Sequence, residues 1–110
     1  MIRSEFVISH NKIQSFRVEG HSGLAPAPHD ILCASVSAMT MLVLNTLQEV
    51  FEVELELSVQ EETPRISASL VSVPQGKEEA AEGVLKGFFL QLRDLESQYP
   101  ANLKVSTKTR

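Results

Sequence analysis

Apolar residues fall along this chain in two rhythms. Residues 52–59 alternate, with Val53, Leu55 and Leu57 directed inward and Glu52, Glu54 and Glu56 outward, the period of a half-buried strand. Residues 65–73 repeat the pattern, with Ile66, Ala68 and Leu70 against Ser67 and Ser69. Two earlier segments, 1–8 and 13–19, carry β-prone residues on either side of the polar turn Ser9-His10-Asn11-Lys12 and predict a hairpin. A last short strand is predicted over 103–106, with residues 107–110 a frayed polar tail. The helical rhythm governs 77–98, where Ala81, Val84, Leu85, Phe88, Leu92, Leu95 and Tyr99 form one stripe and Pro100 stops the helix. Glu82 and Lys86 are spaced for an ion pair, and Gly83 and Gly87 for close packing against the sheet.

Residues 30–50 form the other helix, and it has almost no polar face before Asn45. A helix apolar all round must be covered on most sides. One small sheet covers one side, so a second copy of the chain is the simplest cover for the rest. The order is therefore strand, strand, helix, strand, strand, helix, strand. This is a single α+β domain (residues 1–110) with a sheet of about five strands and two helices packed on it, expected as a homodimer.

Composition narrows the function. With 110 residues and 43% hydrophobic content the chain can bury one small core. A net charge of −4 and a pI near 5.3 argue against nucleic-acid binding and suit a basic partner. A single cysteine excludes an internal disulfide and indicates a reducing compartment. No signal peptide and no apolar run near the ~20 residues of a membrane span is expected, so the reading is cytoplasmic and without membrane contact.

The chemistry is concentrated between Gly20 and Thr40. Gly20 and Gly23 bracket His21, Asp30 is placed to cap the following helix, and Cys33 then falls third in its first turn. The positive end of the helix dipole there favours a thiolate, and His21 across the loop can exchange its proton. Amides of the helix start are candidate oxyanion donors, and Ser37, one turn after Cys33, is a candidate for orienting substrate or His21. Ser37 has an equal alternative role, a bond to the helix backbone. Two other readings compete. His21, His29 and Cys33 together suggest a metal site, though one of this size usually has more cysteines. A lone cysteine also fits a non-enzymatic dimeric module that simply buries it. His10 belongs to a turn, and the outward glutamates mark solubility, because like charges side by side repel.

Gly20-His21-Ser22-Gly23 followed by Asp30-Ile31-Leu32-Cys33-Ala34-Ser35-Val36-Ser37 resembles the signature of the ribosomal-processing cysteine proteases, the Prp family, in order and spacing. Pro26-Ala27-Pro28 departs from the pattern, in a loop that is more glycine-like in the family and that the prolines would stiffen. The resemblance implies the same fold, a homodimer, and no metal or organic cofactor. It implies a cysteine endopeptidase that removes the short N-terminal extension of a large-subunit ribosomal protein. Cys33 would be nucleophile and His21 general base and acid, supported by Gly20, Gly23, Asp30 and Ser37.

Overall fold

The hairpin forms as its turn residues require. Strands β1 (Ile2–Ser9) and β2 (Lys12–Glu19) are joined by His10 and Asn11, both at positive φ of 54° and 65°. This two-residue turn matches the right-handed twist of the flanking strands. The computed structural model describes residues 1–26 and 29–110. Helix α1 (Ile31–Asn45) continues into a wider π-helical turn, Thr46–Val50, then come β3 (Glu54–Gln60), β4 (Arg65–Ser72), helix α2 (Glu78–Gln98) and β5 (Leu103–Thr109). The strands form one sheet in the order β3-β4-β2-β1-β5, antiparallel except for β1 beside β5.

Both helices lie on one face of this sheet. Ile2 and Phe6 of β1, Phe16 of β2, Ala68 of β4 and Leu103 of β5 meet Leu32 and Val36 of α1 and Leu85, Phe88 and Leu92 of α2 in one core. At its centre Phe6 is fully buried, with ring centroids 6.0 Å from Phe16, 5.6 Å from Phe88 and 5.2 Å from Phe89. The edge-on contacts suit the ring quadrupoles. The other face of the sheet carries Arg3, Glu5, Arg17, Ser67 and Ser69, whose positions alternate with the core residues.

Several expectations change in the fold. Thr107–Thr109 do not fray: they extend β5 along β1 in parallel register from Ile2↔Leu103 to Ile8↔Thr109, and Arg110 N–H donates to the Ile8 carbonyl at 2.9 Å. An extended tail finds partners on β1 that water would otherwise supply. Val53 is buried, but Leu55 is only half-buried and Leu57 is 40% exposed, because β3 is an edge strand beyond the reach of the helices. Gly83 and Gly87 do not press on the sheet, since a Cβ at either would meet open space. Instead they line an apolar groove between α1 and α2 with Met39, Leu42 and Val84. Glu82 does not pair with Lys86: its carboxylate accepts the Ile13 N–H at 3.2 Å. Ile31–Val50 is, against expectation, a helical run of 20 residues with mean hydropathy 1.6, long and apolar enough to cross a membrane. Here its Leu32, Val36, Val43, Leu44 and Leu47 are buried in the core, while Ile31 (64% exposed), Met41 (47%) and Leu42 (66%) face outward.

The three-ring contact makes Phe6 the residue whose loss the core can least absorb. Phe6→Ala is expected to destabilise the protein by about 3–5 kcal/mol, measured by urea denaturation. A loss under about 1 kcal/mol would place the core's centre elsewhere.

Candidate active site

The site begins where β2 ends. Gly20 takes φ 94° and donates its N–H to the Pro64 carbonyl at 2.9 Å. The carbonyl oxygen of Met1 lies where a Cβ would be, so both the backbone angle and the space require glycine here. Gly23, at φ 69°, closes the bracket around His21 and Ser22.

Ser22 is 2% exposed and bonded on every side. Its hydroxyl donates to Asp30 Oδ2 and accepts the Leu24 N–H at 3.1 Å. Its own N–H donates to Cys33 Sγ at 3.2 Å, and its carbonyl accepts from Asn102 Nδ2 at 2.8 Å. Asp30 caps α1 as the sequence predicts, accepting the Cys33 N–H at 2.9 Å on Oδ1. It is 8% exposed. The Ser22 hydroxyl and then the Cys33 amide stabilise its anion and hold its pKa below the ordinary carboxylate value.

Cys33 is therefore placed by two contacts, its amide on the cap and its sulfur on Ser22. It is half-buried rather than sealed in the core. Its side chain borders a cleft of about 80 Å³ together with Ser37, Val36, Thr40, Val18 and Ile66. The rim carries Arg65, whose Nε donates to Glu19 Oε2 at 2.8 Å. Ser37 thus reaches the same cleft as Cys33. It is Ser35, not Ser37, that bonds the preceding helical turn, through the Ile31 carbonyl at 2.7 Å.

His21 is exposed, and among the described residues no hydrogen bond joins its imidazole to Cys33. What the fold brings to the sulfur is the backbone of the next residue. His29 is also exposed, with its N–H on the Pro26 carbonyl at 2.8 Å. The expected stiffening of the loop by Pro26-Ala27-Pro28 falls in part on Ala27 and Pro28, outside the described residues. Among the described residues no three His, Cys, Asp or Glu side chains are grouped to hold a metal ion. Of the helix-start amides expected as oxyanion donors, those of Cys33 and Ala34 are bound by the Asp30 side chain and carbonyl, at 2.9 and 3.2 Å. Sequence reasoning also missed the Ser22 hydroxyl and Asn102. Ser22 stands in the quoted motif and had a readable signal, a hydroxyl beside a capping aspartate. Asn102 lies 80 residues away and had none.

Fold and site together describe a small α+β domain with a half-buried thiol at a helix start. Residues 1–104 match the family model described as cysteine protease Prp, and the chain belongs to that family. It is similar to the ribosomal processing cysteine protease Prp of Bacillus subtilis (strain 168), with 28% identity over 109 residues and 97% of each chain covered. Among solved structures it resembles the Prp protease of S. aureus in complex with a covalently linked product peptide. The TM-score is 0.88 at 19% identity, covering 98% of this chain and 100% of the other. A Streptococcus mutans protein has the same fold, with a TM-score of 0.87 at 22% identity, covering 100% and 96%.

The lowered pKa of Asp30 sets a pH dependence. A carboxylate with a depressed folded pKa contributes stability that is complete above the unfolded value, about 3.9, and is lost as pH falls through the folded one. The thermal advantage of the parent over Asp30→Asn is expected to be constant from neutral pH to about 5 and to shrink below about 4. Melting curves that stay parallel into strong acid would show that Asp30 is not held as the anion.

Proposed function

We propose that this protein is a cytoplasmic endopeptidase that removes a short N-terminal extension from a large-subunit ribosomal protein, with Cys33 as nucleophile and His21 as general base and acid. The observation that carries the reading is the contact of the His21-Ser22 segment with Cys33, through the Ser22 N–H on the sulfur, beside the cleft that Cys33 borders. Family membership and the ribosomal processing role of the B. subtilis relative supply the substrate class. The covalently linked product peptide of the S. aureus structure supports a peptide substrate here. The chain's net charge of −4 favours encounter with a basic ribosomal protein.

In this mechanism His21 takes the thiol proton and the sulfur adds to the scissile carbonyl. The carbonyl π pair moves to oxygen, giving a tetrahedral intermediate. On its collapse the C–N bond breaks and His21 returns the proton to the leaving amine, leaving a thioester on Cys33. Water, deprotonated by the same imidazole, then releases the acid and regenerates the thiol. For this step the exposed imidazole of His21, on a backbone anchored at Gly20 and Ser22, must reach the Cys33 sulfur directly or through one water. Asp30 and Gly20 hold the site, Gly23 supplies its turn, and Ser37 lies on the cleft wall where substrate would run. No metal, organic cofactor, nucleic acid or membrane enters this reading.

A homodimer belongs to the same proposal. Ile31, Met41 and Leu42 stand exposed on α1, and Leu42 also lines the groove with Gly83 and Gly87. Apolar surface of this kind on one helix calls for a partner, and a second copy, carrying the same surface, is the simplest one.

The test is mass-spectrometric cleavage of the organism's own ribosomal protein, extension included. Cys33→Ala is expected to abolish cleavage and His21→Ala to slow it about 10²–10⁴-fold, with a chelator without effect. Undiminished turnover by Cys33→Ala would end the proposal. The dimer is tested separately by sedimentation, with a dimer expected at micromolar concentration and Leu42→Lys shifting it toward monomer. A monomer at every concentration would contradict it.

A further inference from the structure

We propose that the main-chain N–H of Ser22 is the oxyanion donor of this site, presented by a clasp in which the Ser22 hydroxyl holds Asp30 and Asn102 holds the Ser22 carbonyl. The proposal rests on the protease reading above and extends it to a residue with no role there beyond framing His21.

An oxyanion hole needs an N–H that is near the reacting carbon and not already committed to the fold. The helix start does not supply it at Cys33 or Ala34, since Asp30 binds both amides. The Ser22 N–H, in contrast, is aimed at the sulfur itself, 3.2 Å away. In the resting site it faces the atom that carries negative charge when the thiol ionises. When the S–C bond forms, the sulfur loses that charge and the carbonyl oxygen, two bonds away, acquires it. The donor then follows the charge with a small change of direction, and its bond is strongest only after attack. An interaction made mainly in the transition state raises kcat rather than substrate affinity.

Such a donor works only if its direction is fixed beforehand. The hydroxyl of Ser22 is held by Asp30 and Leu24, and its carbonyl by Asn102. Two residues before Ser22, the Gly20 N–H is held by Pro64. The His21–Ser22 peptide is thus fixed from both ends, by groups contributed from α1, from the turn before β4 and from the turn after α2. Ser22 and Asn102 side chains are positioning groups, and only the Ser22 amide touches the reacting atoms.

The experiment compares the parent, Ser22→Ala, Ser22→Thr and Asn102→Ala in peptide cleavage. It also measures inhibition by a peptide aldehyde, which adds to the sulfur as a hemithioacetal and places its oxygen where the oxyanion forms. Ser22→Ala is expected to lower kcat about tenfold or more, with KM within about twofold, and to weaken aldehyde inhibition by a similar factor. Ser22→Thr, which keeps the hydroxyl, should restore most of both, and Asn102→Ala should shift both in the same direction as Ser22→Ala. A folded Ser22→Ala with unchanged kcat and aldehyde affinity, or a loss confined to KM, overturns the proposal. If Ser22→Ala does not fold, Asn102→Ala is judged by the same two measurements and decides alone. A parent that neither cleaves the peptide nor binds the aldehyde overturns the protease reading and this proposal together. A parent that does both while the variants are unaffected overturns this proposal only.

Discussion

A nearly buried carboxylate cannot be left without donors, and Asp30 answers that constraint with two. One oxygen closes the first turn of α1 through the Cys33 amide, and the other takes the hydroxyl of Ser22 from the far side of the loop. The same side chain therefore begins the helix, sets the depth of Cys33 and ties the end of β2 to it. Helix capping alone is worth roughly 0.5–2 kcal/mol. Here its larger consequence is geometric, since the two bonds link the segment carrying His21 to the element carrying Cys33. Charge and hydrogen bonding support each other, because the bonds that hold Asp30 anionic are those that hold the site together.

The core explains why this clasp can sit at the surface without loosening. Phe6 and Phe16 of the hairpin interlock with Phe88 and Phe89 of α2, and Leu32 and Val36 carry α1 onto the same layer directly after the cap. Close packing there leaves α1 little freedom to slide, so the position of its first turn relative to β2 is decided in the apolar interior. The polar residues of the site then add direction to a distance that the core has already set. Placing both helices on one face also leaves α1 half covered. Its outward ridge of Ile31, Met41 and Leu42 is the remainder of a helix too apolar for one small sheet to enclose.

Much of this was legible in the residues. Period-two alternation located β3 and β4, β-prone residues about a polar turn located the β1–β2 hairpin, the periodic stripe of Ala81 to Leu92 located α2, and the order of elements followed from them. Asp30 declared itself as a cap by type and position, which put Cys33 in the first turn before any tertiary contact was known. Local rules of this kind depend on backbone geometry within a few residues, so a sequence carries them whole. Which side of β3 was covered, whether residues 107–109 had a partner, and where Gly83 and Gly87 pointed depended instead on sheet order. Alternation names two faces and does not say which neighbour reaches them.

For the site the division is the same. The sequence by itself determined the chemical inventory, a thiol at a helix start, a glycine-bracketed histidine and a capping acid, because each owes its meaning to neighbours a few residues away. Only the tertiary structure decided that Ser22 joins these pieces, that its amide rather than those of Cys33 and Ala34 faces the sulfur, and that Asn102 braces it from the far end of the chain. The physical reason is that a hydrogen bond is specified by position and direction in space to within a few tenths of an ångström. Packing of the whole chain sets that position, and no local pattern encodes it.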